Sequence, residues 1–246
     1  MKYKIVLILI QFIQISLFAQ KNENTYVVHY SYSTYINDFS YNIDSSLIFD
    51  NNTSVYEMDH TNSFEKNKQN KGSDIILQVK PKGNDFVYKD FNTGAMYFTD
   101  IINAFQPFYI KDSLNVMEWE LNEKFDVILG YTCQEATSSY GGRTYRAYFT
   151  SEIPIPNGPW RFHGLPGLIL KVESIDSAFK LEATSLEVKN KKFKISNPYQ
   201  DRDFISWEFF LKLYKRTYDE VRRNSMQSWG PSQTIPKMRI VEYIKD

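Results

Sequence analysis

The chain has 246 residues with 29 Lys+Arg against 29 Asp+Glu, a balance that excludes a general nucleic-acid binder, which needs a basic stripe. Its single cysteine, Cys133, excludes an intrachain disulfide, so the core must hold the fold unaided. Apolar residues make up 42% of the chain, and 18 Tyr with 18 Phe tilt that content toward strands, where aromatic rings pack well.

Lys2 and Lys4, an apolar run from Ile5 to Phe18, and then Ala19 follow the order of a secretory signal. The run is too short to favour a spanning helix, and Gln11, Gln14 and Ser16 interrupt it. The expectation is a signal peptide over residues 1–19 and one exported domain over 20–246, beginning at Gln20 or Lys21. No cysteine follows the run to carry a lipid, and no later stretch is long enough for a transmembrane segment. Loss of Lys2 and Lys4 takes the 29 cationic residues to 27 against 29 acidic ones. The destination is the periplasm, the outer membrane or the medium.

Downstream, Tyr26, Val28, Tyr30 and Tyr32 alternate with His29, Ser31 and Ser33, the period of a strand. Asp50-Asn51-Asn52 between Ser46–Phe49 and Ser54–Met58 predicts a hairpin. His60–Gly72 reads as a polar loop, followed by strands at Ile75–Lys80, Phe86–Phe91, Ala95–Thr99, Phe108–Lys111 and Val116–Leu121. One strand is predicted over Val127–Ser139, and Tyr140-Gly141-Gly142 turns it into Arg143–Thr150. Leu168–Ser174 and Phe179–Glu187 form a further hairpin across Asp176-Ser177. Ser206 is placed to cap a helix in which Trp207, Phe210, Leu211, Tyr214, Tyr218 and Val221 recur at spacings of three and four. The tail beyond Asn224, with Pro231 and Pro236, reads as irregular with one late strand. The fold class is therefore mainly β: a single domain of antiparallel meander strands forming a curved sheet, half-barrel or barrel, with one C-terminal amphipathic helix packed on it.

Residues 152–170 read Glu-Ile-Pro-Ile-Pro-Asn-Gly-Pro-Trp-Arg-Phe-His-Gly-Leu-Pro-Gly-Leu-Ile-Leu. With Ile128–Ala136 and Arg143–Thr150, this stretch resembles the GLPGLI family of Bacteroidetes envelope proteins, whose motif is Gly164, Leu165, Pro166, Gly167, Leu168 and Ile169 here. Tyr148 stands where the family's aromatic strand has Trp. The resemblance implies export and no established biochemistry.

Prolines lock φ and remove amide donors, while Gly158, Gly164 and Gly167 allow turns closed to other residues. Pro159 also drives Gly158 away from helical geometry. The stretch therefore predicts a stiff loop with Trp160, Phe162 and Leu165 turned inward. If it is extended, Arg161 and His163 face the other side as candidate binding residues. The Gly-x-x-Gly spacing lacks the Gly-Lys-Ser/Thr ending of a phosphate loop.

Cys133 reads as a packed strand residue. A Cys133–His163 pair is the sharpest enzymatic alternative, since a catalytic thiol needs a base beside it. His29, His60 and His163 have no paired spacing, so neither a metal nor any other cofactor is expected, and no catalytic residue is assigned. The leading functional expectation is a non-enzymatic envelope module that binds or carries an apolar small molecule on its aromatic sheet. Its competitors are an interaction partner of an outer-membrane receptor or secretion assembly, acting through the proline loop, and a thiol- or metal-dependent enzyme.

Overall fold

Alternating apolar residues put one face of most strands inside. On β1 (Thr25–Ile36), Tyr26, Val28, Tyr30 and Tyr32 are buried. A computed structural model describes residues 24–36, 39–60, 84–102, 107–114 and 117–229. The expected signal peptide, the strand at Ile75–Lys80, the late tail strand and nearly all of the polar loop lie outside these residues.

Antiparallel pairing runs β1 to β2 (Phe39–Phe49), β3 (Thr53–Asp59), β4 (Asp85–Asp90), β5 (Ala95–Ile101) and β6 (Pro107–Ser113). The predicted turn at Asp50 forms because its carboxylate accepts the Asn52 and Thr53 amides at 2.7 and 2.8 Å. A second meander comprises β7 (Glu120–Ile128), β8 (Tyr131–Tyr140), β9 (Arg143–Thr150), β10 (Leu168–Ser174) and β11 (Phe179–Lys189). β11 pairs with β1, and β12 (Ile205–Ser206) lies parallel to β6. The result is one open, mixed twelve-stranded sheet, β12-β6-β5-β4-β3-β2-β1-β11-β10-β9-β8-β7.

Two expectations change here. Val127–Ser139 is not one strand but the junction of β7 and β8. Leu129 and Gly130 take φ of 52° and 85°, the left-handed pair of a two-residue hairpin turn, although Leu is a poor turn residue. The strand expected at Val116–Leu121 begins instead at Glu120 and runs to Ile128.

Topology forces curvature. β6 and β7 are ten strand spacings apart in the sheet, about 48 Å if it were flat. The chain from Ser113 to Glu120 can span at most about 25 Å. The sheet must therefore curl, bringing its ends toward each other. Its inner face carries Tyr30, Leu47, Phe49, Tyr56, Met96, Phe98, Tyr145 and Phe149, all buried.

Helix α1 (Trp207–Trp229) packs across the β6 end of the inner face, with Phe210 edge-on to Phe108 and Trp207 against Phe98. Ser206 is its N-cap, its hydroxyl accepting the Phe209 amide at 3.1 Å. On the outer face, the segment before β12 covers β4–β6. Tyr199 meets Tyr109 edge-on and donates to the Phe86 carbonyl, and Phe204 packs on Tyr97.

Candidate functional site

The loop between β9 and β10, residues 151–167, begins with prolines at alternate positions. Pro154 sits at the centre of a three-residue turn closed by the Ile155 amide on the Ile153 carbonyl at 2.8 Å. Pro156 does the same between Ile155 and Asn157 at 2.7 Å, and Pro166 between Leu165 and Gly167 at 2.7 Å. Proline's locked φ suits the centre of such a turn. All three rings are exposed, whereas Ile153, Ile155, Asn157 and Leu165 are buried. The loop is tied to itself by the Leu168 amide on Ile153, Ile169 on Asn157 and Gly164 on Pro156.

The middle of the loop corrects the extended reading. Trp160 adopts φ of 49°, and the Phe162 amide closes a turn on the Pro159 carbonyl at 3.1 Å. Alternation fails across this turn, so Arg161 and His163 point inward with Phe162 and Leu165. Arg161 is 1% and His163 4% exposed, while Trp160 is half-buried. The Arg161 guanidinium stacks between Trp160 and Trp207, 4.2 and 4.4 Å from their ring centres, and over Phe98 at 4.7 Å. One side chain thus joins the loop, β5 and the first residue of α1.

Lys89 on β4 holds the loop from the opposite wall. Its buried ammonium donates to Asn157 Oδ1 at 3.1 Å, to the Gly158 carbonyl at 2.7 Å and to the Phe162 carbonyl at 2.9 Å. Burial pushes its pKa well below the ordinary lysine value, and among the described residues no carboxylate pairs with it. Three acceptors match its three protons and offset part of that desolvation cost.

His163 fastens the β6–β7 crossover. Its Nε2 meets the Leu114 carbonyl and its Nδ1 the Arg161 carbonyl, while Trp119 donates its indole N–H to the His163 carbonyl at 2.8 Å. Burial, reinforced by the Lys89 charge, lowers its pKa to about 4. Tyr30 from β1 adds a bond to the Ile169 carbonyl at 2.7 Å. The aromatic concave face expected to take an apolar ligand is thus packed by the chain's own loop, with Phe162 between Tyr145 and Phe179.

The other motif residues serve the same seating. Gly158 and Pro159 are buried, and Leu168 and Ile169 start β10 within the core. Gly164 takes φ of 92° with nothing closer than Trp119 to the position of a Cβ, and Gly167 has no room for one. Cys133 is not brought to His163: it is fully buried, its thiol points to the Tyr131 carbonyl at 3.6 Å, and burial pushes its pKa up to about 11. That environment opposes thiolate formation. Among the described residues no group of three His, Cys, Asp or Glu side chains is placed to hold a metal ion.

Lys89, Leu114 and Trp119 were missed by sequence reasoning, and Tyr30 was read only as an alternating strand residue. Lys89 carried the same kind of signal, since period two places it on the same face as Val87.

Residues 141–171 match the model of a family described as a protein of unknown function (Porph_ging). The match spans β9, the proline loop and the start of β10. Among curated proteins none matches the sequence. Two crystal forms of PNGF-II resemble the fold at TM-scores of 0.50 and 0.49, both at 15% identity, covering 78% and 74% of this chain. They share 32% and 31% of their own length with it, so this chain spans about a third of PNGF-II. MucB in complex with MucA(peri) is more remote, with a TM-score of 0.32 and 7% identity over 74% of this chain and 55% of that one. No helix among the described residues is long and apolar enough to cross a membrane.

Proposed function

We propose that this chain is an exported, non-enzymatic module of the bacterial cell envelope, of the GLPGLI type. It recognises a partner protein through the outer surface of the proline loop. One observation carries the reading. Arg161, Phe162 and His163 of the loop are turned inward and held by Phe98 on β5, Lys89 on β4 and Trp119 before β7, which leaves Pro154, Pro156, Gly164 and Pro166 exposed. A surface built this way is already ordered before contact, so a partner pays little entropy to fix it. Proline rings also offer apolar area without amide donors that need satisfying.

This reading moves the weight from Arg161 and His163 to the residues beside them. Their part is to hold the surface in shape, and Cys133 contributes to the core. The N-terminal residues 1–19 act as the export signal.

The test is site-specific photo-crosslinking in the native envelope, with the probe placed at Pro154 or Pro166. A discrete adduct from both positions, absent when the probe sits at exposed Thr184 on β11, supports the reading. Identical adducts from all three positions, or none from the loop, overturn it.

A further inference from the structure

We propose that β7 is a self-association edge: two copies of this chain pair their β7 strands antiparallel about a two-fold axis through Phe125. This does not depend on the function proposed for the loop.

The sheet manages its two ends differently. At one end, β6 is covered by β12 and by the start of α1. At the other, β7 has no further strand beyond it among the described residues. An open edge is a template for another strand, and proteins that stay monomeric blunt it. Here the edge carries charged residues, but between and beside them it also bears exposed apolar side chains. Val127 and Phe125 are 68% and 65% exposed, more than any other large apolar residue among those described, and Leu121 and Leu129 are exposed beside them.

The backbone favours a strand as the occupant. The Val127 amide is met by the Asp126 carboxylate at 2.8 Å. It therefore faces the open edge. Strand geometry places the Phe125 N–H and C=O on that same edge, since successive residues alternate in direction. A two-fold axis through Phe125 then makes it a mutually hydrogen-bonded pair with Phe125 of the second copy.

Charge selects this register and this partner. With Phe125 on the axis, Lys124 lies opposite Asp126 of the second copy, and Asp126 opposite its Lys124, so two opposite-charge pairs form on the sheet face that the Phe125 rings do not occupy. Moving the axis to Asp126 would oppose like charges. Lys124 has only a 3.8 Å contact with Glu135 to give up, and Asp126 exchanges its own strand's amide for a cation. The irregularity between Leu121 and Phe125 keeps the regular pairing short, so the association is concentration-dependent. Both copies use the same edge, so assembly closes at the dimer.

Sedimentation velocity on the purified protein over a concentration series tests the proposal. The expected mass rises from one chain to two and no further. Lys124→Asp alone and Asp126→Lys alone should each weaken association about tenfold or more. The two together restore it, and Phe125→Asp abolishes it. Because all three side chains are exposed, each variant should keep the wild-type melting curve at concentrations where the wild type is monomeric, which separates lost association from lost folding. The proposal is overturned by a wild-type protein that stays monomeric throughout or grows beyond two chains. It is equally overturned by a dimer indifferent to Phe125→Asp and both single charge changes, or by folded single variants that the double change fails to rescue.

Discussion

Lys89 and Phe162 lie 73 residues apart in the chain, yet the Lys89 ammonium donates to the Phe162 carbonyl at 2.9 Å inside the curled sheet. That bond and its two companions couple β4 to the loop between β9 and β10, so the two meanders close on a shared buried cation.

Replacing Lys89 with Met should destabilise the protein by about 2–4 kcal/mol, because it leaves buried carbonyl acceptors without donors. Equilibrium urea unfolding checks this, and a cost near zero would show that the amine is not needed to hold the loop. The pH dependence has a definite sign. With the folded pKa lowered by burial, the unfolded chain binds the extra proton, so this residue's penalty shrinks as pH rises toward the ordinary lysine pKa. Lys89→Met should remove that alkaline gain.

His163 supplies the acid counterpart. Its pKa falls from 6.5 to about 4 in the fold, so its neutral form is the native one. The stability it protects is complete above pH 6.5 and is lost as pH falls toward 4, by about 3 kcal/mol. His163→Gln should flatten this part of the profile, measured as the denaturant midpoint at successive pH values. A parallel profile in the variant would place the acid sensitivity elsewhere.

Read as outward-facing, Arg161 would tolerate Ala at almost no cost. Buried between Trp160 and Trp207, it should instead cost about 3 kcal/mol and loosen α1. Arg161→Lys should recover little, since an ammonium lacks the planar face that stacks. Hydrogen exchange along residues 207–220 is the readout, and unchanged protection in Arg161→Ala would disconnect the cage from the helix.

Two glycines of one motif should differ. A Cβ on Gly167 would run into the Thr150 carbonyl, its carbon only 2.7 Å away, so Gly167→Ala should cost about 3 kcal/mol or more. Gly164 has open space and pays only for φ of 92°, about 1–2 kcal/mol. Thermal melts of the two variants settle the order, and equal losses would contradict it.

By itself the sequence determined the fold class, because period-two aromatic alternation and turn chemistry are local. Asp50-Asn51-Asn52 and Gly141-Gly142 announce their hairpins through side-chain hydrogen bonding and positive φ, and Ser206 announces its helix through capping. The β7–β8 hairpin was illegible for the converse reason: Leu129 holds a left-handed conformation that only its surroundings impose. Tertiary structure alone decided the site. Which way Arg161 and His163 point depends on Trp160 adopting φ of 49°. That turn is held by contacts with Phe98 and Trp207, and by bonds to Lys89, Leu114 and Trp119, all distant in the chain. Periodicity describes a segment against its neighbours in sequence. A loop folded inside a curled sheet takes its directions from the walls it touches.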